Sequence, residues 1–301
     1  MILIDNRGST DPYINLAIEE FLIRNADCEG KDFLILYINE PCVVVGKNQS
    51  IYKEVNFEFL RNGKLKMARR ISGGGTVYQD MGNLNFAFIS KFSNEKINNY
   101  AYFNQPVVDA LRKAGVNAEV DRRNNILVDY KKISGNAQFT NRKNIISHGT
   151  LLFNADLVTL RACLKRNSFE VETKAVNSVP SGIMNIKLAT DKFASADDLR
   201  SYLINELTTG ELYAFSEKEW EEIEKLAAEK FGSFEWIYGR SPFTKLIKAE
   251  VEMEIDNGIV SQILGPLTDL KLLEGVKFEY EHIKKALELC PNASGLLALI
   301  F

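Results

Sequence analysis

The stretch Arg69-Arg70-Ile71-Ser72-Gly73-Gly74-Gly75-Thr76-Val77-Tyr78-Gln79-Asp80-Met81-Gly82-Asn83-Leu84-Asn85-Phe86 sets two cations ahead of three consecutive glycines and then continues into a β-prone run. Glycines lack a Cβ, so this loop can take positive φ and bring its backbone N–H groups against a ligand, an anion above all. Strands are predicted on either side, at 67–70 and 84–90. The loop lacks Gly-Lys-Ser/Thr and is therefore not a Walker phosphate loop. Its spacing is not the dinucleotide G-x-G-x-x-G either. Taken alone, the triplet reads equally well as a tight connection between strands.

A second group of residues separates the two readings. Lys131-Lys132-Ile133-Ser134-Gly135-Asn136 is followed closely by His148-Gly149-Thr150-Leu151-Leu152-Phe153. Pro41-Cys42-Val43-Val44-Val45-Gly46-Lys47-Asn48-Gln49 lies upstream, and Lys174 through Ser181 downstream. In this order and at this spacing the segments resemble the lipoate-protein ligase family, over nearly the whole chain. The resemblance implies an α/β catalytic domain of mixed sheet, like that of biotin ligases, with a small accessory unit. It also implies an enzyme that uses ATP and magnesium to make lipoyl-adenylate, then passes the lipoyl group to one lysine of an acceptor. The acceptors implied are glycine cleavage H-protein and the E2 lipoyl domains of 2-oxoacid dehydrogenases, and octanoate is an alternative acid.

Composition fits such an enzyme. With 301 residues, 46% hydrophobic and 26% charged, the chain can bury a sizeable core. A formal charge of −3 does not suggest a nucleic-acid surface, although Arg61, Lys64, Lys66, Arg69 and Arg70 form a local basic run. The four cysteines, at 28, 42, 163 and 290, show no C-x-x-C spacing, and there are two histidines, so neither a zinc site nor a disulfide framework is indicated. No stretch approaches the ~18 apolar residues of a membrane span. A cytoplasmic, monomeric protein is expected, with no membrane partner.

The remaining pattern alternates strands and helices. Asp11-Pro12 opens a helix whose Ile14, Ala17, Ile18, Phe21 and Leu22 form one apolar face. Residues 33–38 and 42–45 read as two adjacent strands, the second buried. A helix over 105–114 stops at Gly115, and strands are predicted at 116–120, 126–132 and 147–153. Helices follow at 197–208 and 216–231, the second opened by a Ser216/Glu219 capping box. A hairpin over 250–264 turning at Asn257-Gly258, and a helix near 280–289, make a distinct C-terminal unit beginning near residue 243. A short linker and a small interface would let that unit move as adenylate forms.

The resemblance assigns roles residue by residue. Arg70 matches a nucleotide-contacting arginine. Ser72, Gly73 and Gly74 complete the turn, and Gly75, Thr76, Val77 and Tyr78 line the adenylate. Lys132 matches the family's essential lysine, whose ammonium would neutralise charge in both half-reactions, and His148 and Thr150 lie near the same ligand. Asn83, Asn124, Asn125 and Asp80 are candidates for adenosine or for magnesium, which takes few protein oxygens. The chain reads Arg122-Arg123-Asn124-Asn125 where the family commonly shows Gly-Arg-Asn-Asp, so an amide replaces a carboxylate. Lys174, Ser178 and Ser181 would close a loop over the adenylate. The acid's apolar tail would lie against strand 42–45 and the strands beside the glycines. Rival readings are an octanoyltransferase with a cysteine nucleophile, a biotin ligase, and a noncatalytic lipoyl-adenylate binder. Cys42 and Cys163 lie in apolar periodic surroundings and read as structural rather than as nucleophiles.

Overall fold

The computed structural model describes residues 1–62, 65–165, 167–179, 181–248, 250–288 and 290–301. Lys64 of the basic run and Leu289 at the end of the expected last helix lie outside them. The framework is a six-stranded mixed sheet in the order Asn136–Thr140, Asn144–Leu152, Asn83–Lys91, Phe33–Ile38, Ile2–Ile4, Leu212–Tyr213. Strand Phe33–Ile38 is buried along its whole length because the sheet is covered on both faces. Leu34, Leu36 and Ile38 join Phe103, Val107, Leu199 and Leu203 in one core, while Phe33, Ile35 and Tyr37 join Leu16, Ile18, Leu22 and Ile223 in another. Period-2 alternation thus divides one apolar run between two layers of helices.

The first helix, Pro12–Asn25, begins as expected, with the Asp11 carboxylate accepting from the Tyr13 N–H. Strands 33–38 and 42–45 are both present, but they do not pair. The second belongs to a small sheet in which Cys42–Val45 lies between Lys66–Arg69, parallel, and Val77–Gln79, antiparallel. The glycine loop therefore crosses the end of the central strand of that sheet. The single strand expected over 126–132 is instead a tight hairpin, Ile126–Val128 with Lys131–Ser134, turning through Asp129 and Tyr130 at φ 48° and 60°. No glycine marks that turn, which hides it from sequence reading.

The C-terminal unit is less separate than its sequence suggests. The hairpin Val251–Asp256/Ile259–Leu264 forms with Asn257 and Gly258 at positive φ. Its sheet, however, is completed at the far edge by Glu170–Thr173, pairing with Thr244–Lys248. Leu246, Met253, Ile283 and Leu287 share one core with Val43, Val45, Tyr52 and Phe57. A boundary at 243 therefore divides the sequence but not the packing, and the small interface expected there is replaced by a continuous core. No helix among the described residues is long and apolar enough to cross a membrane.

Candidate active site

Three sheets meet around a cavity of about 350 Å³. Its inner end is formed by Leu16, Tyr37, Val44, Gln79, Asn85 and His148, its outer end by the glycine loop, Lys132, residues 176–179 and Ser181. The apolar part of the lining includes Val44, from the central strand of the small sheet, and Val77, from the strand that follows the glycine loop.

The loop is shaped by two arginines with different tasks. Arg70 is buried and gathers the loop around its guanidinium. Its Nη2 donates to Gly73 O and Gly75 O, both at 2.7 Å, and its Nε to Ser72 Oγ at 3.1 Å. Gly74 between them sits at φ 87°, the one place in the triplet that requires glycine's freedom. Burial pushes the Arg70 guanidinium down to about 10, against the opposing pull of Glu19. Arg69, 0% exposed, turns the other way. Its donors go to the carbonyls of Gly46, Lys47, Gln49, Trp236 and Ile237 and to the Ser241 hydroxyl, rather than to a carboxylate. It ties the loop's leading strand to the turn after Val45 and to the segment 236–241 that leads into the C-terminal unit. Replacing Arg69 by Met should strand several buried carbonyls and cost about 3 kcal/mol or more, read as a lowered denaturant midpoint. Lys at this position should recover only part of the loss, because one ammonium cannot span three segments.

Lys132 reaches the cavity while Lys131, its neighbour on the strand, is exposed and does not line it. Its backbone is stitched to the downstream segment, with Lys132 N donating to Gly182 O at 2.8 Å and Met184 N to Lys132 O at 3.1 Å. The ammonium lies close over Gly135, where an added Cβ would meet Nζ at 2.9 Å. Burial lowers its proton affinity and Arg70 adds to that, while Asp121 opposes it. A half-buried cation beside Gly74, Gly75 and Arg70 makes the outer end of the cavity positive.

His148 is fixed at both ring nitrogens, Nδ1 2.7 Å from Glu19 Oε2 and Nε2 2.6 Å from Ser72 Oγ. Tyr37 donates to the other Glu19 oxygen at 2.9 Å. First helix, main sheet and glycine loop are thereby linked by one buried chain of polar groups. Ser178 performs the corresponding task on the outer side. Its Oγ accepts from Thr76 N at 3.0 Å and from Gln49 Nε2 at 3.1 Å and contacts the Glu54 carboxylate. Gln49 Oε1 in turn accepts from Gly46 N and from Thr76 Oγ1, both at 2.9 Å.

Of the residues singled out from sequence, the structure brings Arg70, Gly74, Gly75, Thr76, Val77, Asn125, Lys132, His148, Thr150, Ser178 and Ser181 to one cavity. Ser72 and Gly73 stand behind its wall. Five candidates are placed elsewhere. Tyr78 points to the opposite face of its strand, into the core with Phe57 and Leu246. Asp80 braces a turn, its two oxygens accepting from Gly82 N and Asp156 N, which leaves neither free toward the cavity. Asn83 is fully buried against Asn85, and Asn124 shapes a turn at φ 64° whose carbonyl accepts from Asn104 and Asn136. Lys174 is exposed and away from the lining. Sequence reading missed Glu19, Tyr37, Gln49, Gln79 and Asn85. Glu19 carried a signal, a carboxylate among the apolar Leu16, Ala17, Ile18, Phe21 and Leu22 of the first helix.

Among the described residues no carboxylate lines the cavity and no cluster of His, Cys, Asp and Glu could cage a metal. Asn125 is the candidate metal ligand that faces it. Its Nδ2 is anchored to Asp121 Oδ2 at 2.9 Å, which leaves the amide oxygen as the available donor.

Comparison with known proteins places this geometry. The family model of the lipoyl protein ligase A/B catalytic domain matches residues 11–208. The chain is 35% identical to the lipoate-protein ligase LplJ of Bacillus subtilis, over 96% of this chain and 94% of that one. A putative lipoate protein ligase from T. acidophilum, solved with bound lipoic acid, superposes with a TM-score of 0.66 at 25% identity, covering 79% of this chain and 97% of the other. A lipoate-protein ligase A bound with ATP gives a TM-score of 0.67 at 25% identity, covering 80% and 98%.

Proposed function

The chain belongs to the lipoate-protein ligase family, and on that premise we propose that it is an ATP-dependent ligase with the described cavity as its reaction chamber. Free lipoate enters tail first, its apolar part against Leu16, Val44 and Val77 and its carboxylate toward Lys132. The carboxylate attacks the α-phosphorus of ATP, the bond to pyrophosphate breaks, and lipoyl-AMP remains. In the second half-reaction the neutral ε-amine of an acceptor lysine attacks the lipoyl carbonyl. AMP leaves, the amine gives up a proton, and an amide is formed.

The chemistry requires two anions to approach each other, and fixed positive charge lowers that barrier most effectively. Lys132 and the Arg70-braced glycine loop supply it in a partly enclosed site, where such charge is worth more than in water. Loop carbonyls held by Arg70 cannot turn toward the phosphates, so the loop's N–H side is the one presented. Ser178, bonded to Thr76 N and Gln49, holds the outer wall over Gly75. Magnesium, when bound, neutralises phosphate charge. With no carboxylate in the lining, Asn125 is the residue that would hold it from the protein side, the phosphates and water completing the shell.

The observation that carries this reading is the convergence of Lys132, Arg70 and the glycine loop on one cavity whose lining also includes the apolar Leu16, Val44 and Val77. Acceptors of the H-protein or E2 lipoyl-domain type, a cytoplasmic location and a monomeric state complete the proposal. Incubation with ATP, magnesium, lipoate and an unmodified E2 lipoyl domain should add one lipoyl group to one acceptor lysine, detected by mass. Modification that proceeds equally without ATP would favour the transferase alternative, and no modification at all would favour a binder.

A further inference from the structure

A second cavity of about 440 Å³ lies beside the first and is strongly basic. Four cations reach it, Arg24, Lys47, Lys230 and Arg240, against the single carboxylate of Glu20. Glu20 is buried and already shared, 2.5 Å from Lys230 Nζ and also paired with Arg24. Lys47 and Arg240 have no acidic partner within ion-pair distance among the described residues. Each instead lies over a ring, Lys47 Nζ 5.5 Å from the centre of Phe139 and Arg240 5.8 Å from that of Trp236. Lys230 also faces Trp236, at 4.0 Å. Its ammonium is pushed down by burial, with Arg24 and Lys47 adding to the effect and Glu20 opposing it. Cations kept this close without matching acids are a standing cost that a bound polyanion would relieve.

The position of this cavity points to its ligand. Along the first helix, Leu16 lines the reaction cavity, and Glu20, Ile23 and Arg24 line the second, one to two turns on. Along strand Asn136–Thr140, Ala137 lines the first and Phe139, on the same face, the second. The centres are therefore roughly 7–10 Å apart. Lys47 and Ile71 hold the second cavity against the glycine loop, with Lys47 N donating to Ser72 O at 2.8 Å. Gly73, on the loop near it, has open space where a Cβ would lie. A multiply charged oxyanion leaving the first cavity across Gly73 would meet Lys47 and Arg240 next.

We propose that this basic cavity is a binding site for pyrophosphate, taking up the product of the adenylation step and supplying it in the reverse direction. The identity of the anion rests on the ligase reading, whereas the site itself does not. In reverse, a pyrophosphate oxygen attacks the α-phosphorus of lipoyl-AMP, the bond to the lipoyl carboxylate breaks, and ATP and lipoate are regenerated.

The test uses the whole protein and inorganic pyrophosphate as probe, with inorganic phosphate as the weaker comparison. Calorimetry should show Lys47→Met and Arg240→Met each weakening pyrophosphate binding by about 10-fold or more. In the reverse reaction the KM for pyrophosphate should rise by a similar factor, while the KM for acceptor in transfer from supplied lipoyl-AMP stays unchanged. Pyrophosphate binding that ignores both substitutions overturns the proposal. So does a pattern in which the acceptor KM rises and pyrophosphate binding does not, which would make the cavity a docking site for an acidic acceptor. Arg240 is exposed, so Arg240→Met decides the matter even if Lys47→Met disturbs the loop. A protein that binds pyrophosphate through these residues yet forms no adenylate would sink the ligase reading and leave the site standing.

Discussion

Lys132→Met should lower both half-reactions by ~10²–10³-fold while leaving the fold intact, because it keeps the stem and removes the ammonium. Stem packing against Gly135 survives in Met, and the strand's bonds to Gly182 and Met184 are made by backbone. Adenylation and transfer from supplied lipoyl-AMP are measured separately, with Lys131→Met, exposed and outside the lining, as control. Near-normal rates in both steps for Lys132→Met, or equal damage from Lys131→Met, would remove the lysine from the mechanism. The same ammonium sets a pH limit. Burial lowers its affinity for a proton, so the charged form is lost as pH rises through a value below the ordinary lysine range. Adenylation should therefore decline on the alkaline side earlier than a solvent-exposed lysine would dictate. Arg at 132, which stays protonated, should push that decline to higher pH even if the absolute rate is reduced.

The second large effect is expected at Gly46. A Cβ there would stand 2.2 Å from Gly74 O, a backbone atom of the glycine loop that cannot move aside alone. Gly46→Ala must therefore displace the loop or the Gly46–Gln49 turn, and with it the Gln49 bonds to Thr76 and Ser178. A displacement near 1 Å is enough to cost ~10²-fold in rate, and relief of the clash should cost a further 1–3 kcal/mol or so of stability. Gly73→Ala provides the contrast, since its Cβ would enter open space at an ordinary φ. Its denaturant midpoint should match that of the unmodified protein while the Gly46→Ala midpoint falls. Equal midpoints for the two variants would show that the turn after Val45 does not support the loop.

Much of this architecture is legible in the sequence, and the gaps have physical causes. Strand 33–38 is readable because its six apolar residues are buried on both faces, and the first helix because Asp11-Pro12 is a strong start signal. Residues 126–132 read as one strand because Asp129 and Tyr130 take positive φ with no glycine after Asp129 to announce the turn. Pairing of Glu170–Thr173 with Thr244–Lys248 is set by tertiary packing over a distance of about seventy residues, which no local pattern records. In the site, Arg70, the glycines and Lys132 announce themselves by type and spacing. Tyr78 and Asp80 looked alike in sequence to their neighbours Val77 and Gln79, but alternation along a three-residue strand sends Tyr78 away, and Asp80 is consumed by the turn that follows. Glu19, Tyr37 and Gln49 act through partners far along the chain, so only the folded structure shows that they fix His148 and the glycine loop.

The central claim is that this cavity joins lipoate to the α-phosphate of ATP. Isotope exchange between pyrophosphate and ATP tests it most directly, because exchange requires reversible adenylate formation and needs no acceptor. Exchange that is absent without free lipoate, appears when lipoate is added and falls ~10²-fold or more in Lys132→Met is the predicted result. No lipoate-dependent exchange by well-folded protein, or exchange unaltered by loss of the Lys132 ammonium, would contradict the account.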